Sequence, residues 1–175
     1  YILACTWDPE LALEMGECVG EDGLYGKVVG WYGPAMNIHR TPFGGRNFEY
    51  YSEDPFLSGV MGKNAVQGAA RKGMYGFVKH FAVNDQETHR DQNGLVTFCN
   101  EQAMREIYFK PFAMTIRDND VTVNYNEPVR NEKGKIEGYI MRQAQVPATT
   151  AIMSSFNRIG PIWAGGNYDL ITGVL

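Results

Sequence analysis

The stretch MYGFVKHFAVNDQETHR, residues 74–90, carries the clearest strand signal in the chain. An apolar run opens it, Lys79 and His80 break that run near its end, and a polar loop follows with Asp85, Glu87, His89 and Arg90. A short apolar run bounded by glycine or polar loops reads as a strand buried on both faces, the kind found in parallel sheets. Two other segments share the pattern, VVGWYGPAMNI at 28–38 and TTAIMSSF at 149–156.

Helix signals fill the gaps between these strands. Asp8-Pro9 and Asp54-Pro55 each place a carboxylate that can cap free amides before a proline, whose missing donor costs nothing at the first helical position. The first helix is predicted from Pro9 to Asp22 with Gly23 after it, the second from Pro55 to Lys72 with Gly73 as a left-handed stop. Asn100 caps a third, in which Met104, Ile107, Tyr108, Phe112 and Ile116 recur on one face. Helix and strand in alternation imply an α/β fold of parallel strands with right-handed crossovers, either an open doubly wound sheet or a barrel. VQGAARKG has the glycines of a nucleotide loop but falls inside a predicted helix, not after a strand, so it is a weak match. Residues 124–147 interrupt the alternation with Asn, Pro, Gly and charge, and read as an exposed insertion or a hairpin turning at Glu132-Lys133-Gly134.

Composition narrows the partners. A length of 175 residues suits one domain, and 44% apolar residues suit a packed core. Sixteen Lys and Arg against twenty Asp and Glu, with signs mixed along the chain, leave no electrostatic footprint for nucleic acid or an anionic membrane. Cys5, Cys18 and Cys99 have neither metal-ligand nor redox-pair spacing and read as buried thiols in a reducing compartment, with a disulfide between two of them left open. No run reaches membrane-spanning length, and YILACTWDPELALEMG lacks the basic start and cleavage site of a signal peptide, so the expected location is cytoplasmic.

In parallel sheets and barrels the loops at the carboxyl ends of strands build the site. Those loops here hold Arg46, Lys79, His80, Arg90 and Phe156, all expected at one mouth. Singly, each has a plain structural reading. Arg46 can pair with Glu49 or Glu53 across its loop, Lys79 can be solvated, and His80 can be a satisfied structural imidazole. Together they are hydrogen-bonding groups without an evident nucleophile, a set suited to a hydroxyl-rich or anionic ligand.

GRNFEYYSEDP, FVKHFAVNDQETHR, MREIYFKPF and MSSFNRIG, in that order, resemble the amino-terminal barrel domain of family 3 glycoside hydrolases of the β-glucosidase type, over nearly the whole chain outside 124–147. The resemblance implies that residues 1–175 are an incomplete TIM-type (β/α) barrel domain, because a full one takes about 250 residues. It implies that Arg46, Lys79, His80 and Arg90 hydrogen-bond the hydroxyls of the sugar at the non-reducing side of the scissile bond. Met153 and Phe156 of the MSSF motif join the same substrate-binding set. The implied activity is retaining hydrolysis of terminal β-D-glucosyl residues from a β-glucoside or oligosaccharide, with no cofactor and no metal.

Two departures stand out. Phe156 occupies a position where the family has tyrosine, and the family's aspartate nucleophile belongs to a motif expected after Leu175, with the acid/base from a later domain. Retaining hydrolysis needs two carboxyl groups about 5 to 5.5 Å apart. Asp54 reads as a helix cap and Glu49, Glu53, Asp85 and Glu87 as groups that fix their loops, so no catalytic residue is assigned and the isolated chain is expected to be inactive. Within the family the alternative is a β-N-acetylhexosaminidase, whose KHFPGHG-like motif differs from KHFAVNDQETH. Outside enzymes, the alternative is a non-catalytic carbohydrate-binding or structural fragment. An incomplete barrel leaves unpaired strand edges, so a homodimer or swapped assembly is expected through 150–157 or 124–147.

Overall fold

The computed structural model describes residues 1–90 and 94–175. Helix α1 (Pro9–Gly26) starts where the Asp8 carboxylate accepts the amides of Glu10 and Leu11 at 2.9 and 3.2 Å, and α2 (Pro55–Arg71) where Asp54 accepts that of Phe56 at 2.8 Å. Both caps are those the Asp-Pro pairs predict. The end of α1 differs: it runs past Gly23 and stops at Lys27, which adopts a left-handed conformation with φ 55°. Gly23 lies buried inside the helix, with the Met74 methyl packed in the space a Cβ would take. Helix α2 does stop before Gly73, whose φ is +82°.

The two helices cross closely. A Cβ on Gly16 would overlap the Ala65 carbonyl oxygen, and one on Gly68 would overlap that of Leu13. Gly68, the first glycine in VQGAARKG, is therefore a packing residue. The third helical segment comprises α3 (Glu101–Ala103), a π-helical turn (Met104–Tyr108) and α4 (Lys110–Ile116). Asn100 caps it, accepting the Ala103 amide at 2.8 Å. Pro111 has no N–H to offer a regular turn. The turn before it widens, with the Phe109 amide reaching Met104 O at 2.7 Å.

The strands among the described residues are β1 (Gly30–Trp31), β2 (Tyr75–Phe81), β3 (Val96–Thr97), β4 (Asp120–Arg130), β5 (Ile136–Pro147), β6 (Thr149–Ser154), β7 (Arg158–Ile159) and β8 (Ile162–Trp163). A parallel sheet has the order β1-β2-β6, so the chain is α/β with parallel strands and covering helices. The 28–38 segment is not one strand. It pairs with β2 at β1, leaves the ladder, and rejoins at Ala35, where the Lys79 amide reaches Pro34 O at 3.0 Å and the Met36 amide reaches Lys79 O at 2.8 Å. Pro34, without an N–H, sits at that break.

The three strands are not buried on both faces as expected. In β2, buried Gly76, Val78 and His80 alternate with more open Tyr75, Phe77 and Lys79, and β6 is half-buried or exposed throughout. Helix α2 covers one face only, with Val66 against Gly76. The core lies there, where Met36, Met61, Val66, Val78, Phe81 and Phe112 are all but inaccessible.

Two other sheets flank this one. β3 and β7 pair in parallel and β7 turns antiparallel into β8, tying the loop after β2 to the loop after β6. β4 and β5 form an antiparallel hairpin from Asp120↔Pro147 to Arg130↔Ile136, turning through Asn131 and Gly134, the latter with φ +77°. Its base adjoins the amino end of β6, where the Ala148 amide bonds Asn119 O at 2.8 Å.

The cysteines are free. Cys5 and Cys18 are exposed and Cys99 is half-buried, which corrects the expectation of buried thiols; Cys18 lies on α1 away from the glycine seam with α2. Among the described residues no helix is long and apolar enough to cross a membrane.

Candidate functional site

The carboxyl ends of β1 and β2 bring four of the expected residues together. Lys79 projects from β2, and its Nζ lies 3.1 Å from Glu49 Oε2. Glu49 closes a 3-10 turn (Asn47–Glu49) that starts at Arg46, and its other oxygen takes the Arg46 Nε–H. Arg46 Nη1 in turn lies 3.8 Å from Glu87, whose second oxygen takes the Arg90 Nε–H at 2.9 Å. Lys79, Glu49, Arg46, Glu87 and Arg90 thus form one chain of alternating charge. Arg46 pairs with Glu49, and Glu53 is exposed away from it.

The chain sets its own charge states. Burial raises the Glu49 carboxyl, but hydrogen bonds from Arg46 and Lys79 outweigh this and hold it below its ordinary value. The cluster sets three basic side chains, Lys79, Arg46 and Arg90, against two carboxylates, Glu49 and Glu87.

His80 lies near the end of β2 beside Asn37, Tyr50 and the cations of the cluster, and is 5% exposed. Burial, then the positive charges of Arg46 and Lys79, push its imidazole down to about 3, so it is neutral. Its tautomer follows from Asn37. The Asn37 amide nitrogen donates to His80 O at 3.0 Å, leaving Asn37 Oδ1 to accept the His80 backbone amide at 2.9 Å and Nδ1–H at 3.2 Å. Tyr50, 3.5 Å from Nδ1, spends its hydroxyl hydrogen on Asn84 O. With its hydrogen on Nδ1, His80 carries its lone pair on Nε2.

Arg90 lies 5.1 Å from the centre of the Phe156 ring, which is 57% exposed. One of its terminal nitrogens, Nη1, is buried without a hydrogen-bond partner among the described residues. Met153 stands opposite Lys79 in the β2–β6 ladder. Asp85, read as a loop-fixing group, accepts the Ile38 amide at 3.2 Å and so joins the ends of the first two strands. Burial raises its carboxyl to about 6 against the opposing Ile38 hydrogen bond and Arg40 charge. A cavity of about 490 Å³ opens beside the cluster, lined by Arg40, Phe43, Asp85, Glu87 and Thr88 among others.

Asn37, Tyr50 and Asn84 are the supports that sequence reasoning did not find. A signal existed: Asn37 is a polar residue inside an apolar run, and its position at a strand end pointed to a hydrogen-bonding duty. No group of three His, Cys, Asp or Glu side chains among the described residues is placed to hold a metal ion.

Residues 1–126 match the N terminal domain of glycosyl hydrolase family 3. Among relatives, the chain is 33% identical over 99% of its length to a β-glucosidase of Ruminococcus albus, and 37% identical over 99% to an exo-α-(1→6)-L-arabinopyranosidase of Bifidobacterium longum. Among solved structures, it resembles β-glucosidase 3B from Thermotoga neapolitana in complex with glucose, with a TM-score of 0.77 and 36% identity over 99% of the chain. It spans 15% and 19% of the two relatives and 20% of the Thermotoga chain. With its match to the domain over most of its length, the chain belongs to glycosyl hydrolase family 3.

Proposed function

We propose that this chain is the sugar-positioning part of a retaining β-glycosidase acting on terminal β-D-glucosyl residues, and that its three parallel strands are one arc of a TIM-type (β/α) barrel. The observation that carries the reading is the alternating ion chain at the strand ends. Lys79, Arg46 and Arg90 are each held by a carboxylate through one or two donors, which leaves further N–H groups to donate to sugar hydroxyl oxygens. His80 supplies the complementary group, because its Nε2 lone pair accepts a hydroxyl hydrogen. Phe156 beside Arg90 and Met153 opposite Lys79 complete the proposed binding surface.

The excess of one positive charge in the cluster favours the ionised form of a carboxylate nucleophile brought near it. Neither that nucleophile nor the acid/base is assigned among these residues. Both are read as coming from the rest of a longer protein, in keeping with the small share of its relatives that the chain spans. The Bifidobacterium relative supports a second reading of the sugar, an α-L-arabinopyranoside, which keeps a pyranose ring of hydroxyls but lacks the exocyclic carbinol.

An aryl glycoside whose leaving group needs little protonation tests these readings in the complete gene product. Lys79→Ala should lower kcat/KM by about 10- to 100-fold, the loss of a charged hydrogen bond that strengthens in the transition state, with far-UV circular dichroism unchanged. A paired β-D-glucoside and α-L-arabinopyranoside decide the sugar. The isolated chain should release no aryl alcohol above buffer. Turnover by the chain that disappears in Asp85→Asn or Glu87→Gln would overturn the assignment, since it would place the nucleophile inside the binding loop.

A further inference from the structure

Only the base of the β4–β5 hairpin is packed. Val121 is buried, and Val123 and Val146 lie against the core, but residues 124–130 and 139–143 are exposed on both faces. The exposed part is not wholly polar. Tyr125, Val129 and Ile140 project on one side and Pro128, Tyr139 and Met141 on the other, with Tyr139 64% and Met141 72% exposed. A two-stranded hairpin of this kind is marginal in water without a third strand or a covering surface.

The two outer edges are unequal. Pro128 removes a donor from β4, whereas β5 has an amide at every residue from Ile136 to Val146 and only Glu137 and Arg142 as charges to discourage pairing. The unguarded edge is that of β5. The edge of β6 is a weaker candidate, because Ile171 and Leu175 of the last helical turn line one hollow with Ile116 and Ile152 beside it.

We infer that the outer edge of β5 is a self-association surface, occupied by the β5 strand of a second copy of this chain running antiparallel about a two-fold axis. Such pairing gives both copies the same contacts and closes the assembly at two. The charges permit it. Asp120, Glu127, Glu132 and Glu137 balance Arg130, Lys133, Lys135 and Arg142, so two hairpins meet without net repulsion. Strand β5 brings 12 residues to the pairing, fewer than the roughly 20 to 30 residues a side of a standard interface, so the dimer rests on main-chain pairing rather than on area. Because the hairpin joins the amino end of β6 and the ion chain lies at the carboxyl ends, pairing there leaves the sugar site open.

Sedimentation and disulfide trapping on the complete gene product test this. The protein should be a dimer at micromolar concentration. Tyr139→Lys with Ile140→Lys, which places edge-guarding lysines on both faces of β5, should weaken association at least tenfold and leave kcat/KM on an aryl glycoside unchanged. A cysteine at 139, 140 or 141, with Cys5, Cys18 and Cys99 changed to serine, should give a covalent dimer on mild oxidation that the cysteine-replaced parent does not give. A monomer at 100 µM would overturn the inference, as would a dimer indifferent to the paired lysines. A monomer whose hairpin amides resist hydrogen exchange would also overturn it, assigning the surface to another part of the same polypeptide.

Discussion

His80 and Asp85 titrate in opposite senses, and Asp85→Asn separates them. His80 is held at about 3 against an ordinary 6.5, so between those values the unfolded chain binds a proton that the folded chain does not. Stability therefore rises with pH through that window, by up to about 1.4 kcal/mol per unit. Asp85 is held at about 6 against an ordinary 3.8, so between those values the folded chain keeps a proton that the unfolded chain has lost. Stability falls with pH there at the same limiting rate. Glu49, lowered from 4.5, adds a rise only below that value. From pH 4.5 to 6 the His80 and Asp85 slopes oppose each other and the pair contributes nearly nothing. Asp85→Asn removes the falling slope, so the variant should gain about 2 kcal/mol between pH 4.5 and 6 relative to wild type over the same interval. His80→Asn should lose a similar amount. Urea unfolding followed by tryptophan fluorescence at half-unit steps measures both. If Asp85→Asn tracks wild type across the interval, either Asp85 is already ionised in the fold at pH 4.5 or His80 takes up a proton there, and the electrostatic description of the site fails.

At Phe156, restoring the family's tyrosine in the complete enzyme should add a donor to the proposed nucleophile and move the acidic limb of the pH-rate profile to lower pH; an unmoved limb would mean that the ring is not beside that carboxylate. Phe156→Leu should lower kcat/KM by about two- to fivefold through loss of the ring over Arg90, and no change would deny Arg90 that support. Gly16→Ala should destabilise the chain by about 1 to 3 kcal/mol in urea, because the new methyl meets a backbone oxygen that cannot turn aside. A stabilised variant, as helix propensity alone would give, would refute the close crossing of α1 and α2.

Local chemistry was legible wherever it acts within a few residues. The Asp8, Asp54 and Asn100 caps and the Gly73 stop each follow from a neighbouring amide or a φ value, and each is where the pattern put it. Gly23 lies inside α1 rather than after it, packed beside Met74 fifty-one positions away, and no local pattern contains that contact. The burial of the strands was overread for a similar cause. An apolar run tells how much side chain needs cover, not how much of the cover lies in the same segment, and α2 shields only the Gly76 and Val78 side of β2. In the site, the residue types at the strand ends were visible, as was the pairing of Arg46 within its loop. The long-range links, Lys79 to Glu49 and His80 to Asn37, were not.

Those long-range links change what the site can recognise. A sugar hydroxyl both donates and accepts, so a cluster offering donors alone would leave its hydrogens without partners. Glu49 and Glu87 cannot fill that need freely, because their oxygens are engaged by Arg46, Lys79, Arg90 and the Asn84 amide at 3.0 Å. His80 can, since burial and the adjacent cations keep it neutral and Asn37 fixes its hydrogen on Nδ1. In the proposed sugar-binding role the cations act twice, as donors toward the ligand and, with burial, as the charges that keep the His80 acceptor unprotonated. Asn37 is therefore the residue on which the acceptor depends. Asn37→Asp should place a carboxylate against Nδ1, favour the imidazolium and turn Nε2 into a donor, so kcat/KM in the complete enzyme should fall at low pH and recover in part as the imidazole deprotonates. A flat loss across pH, with no recovery limb, would show that Asn37 only holds the strand end and that the tautomer of His80 does not matter to binding.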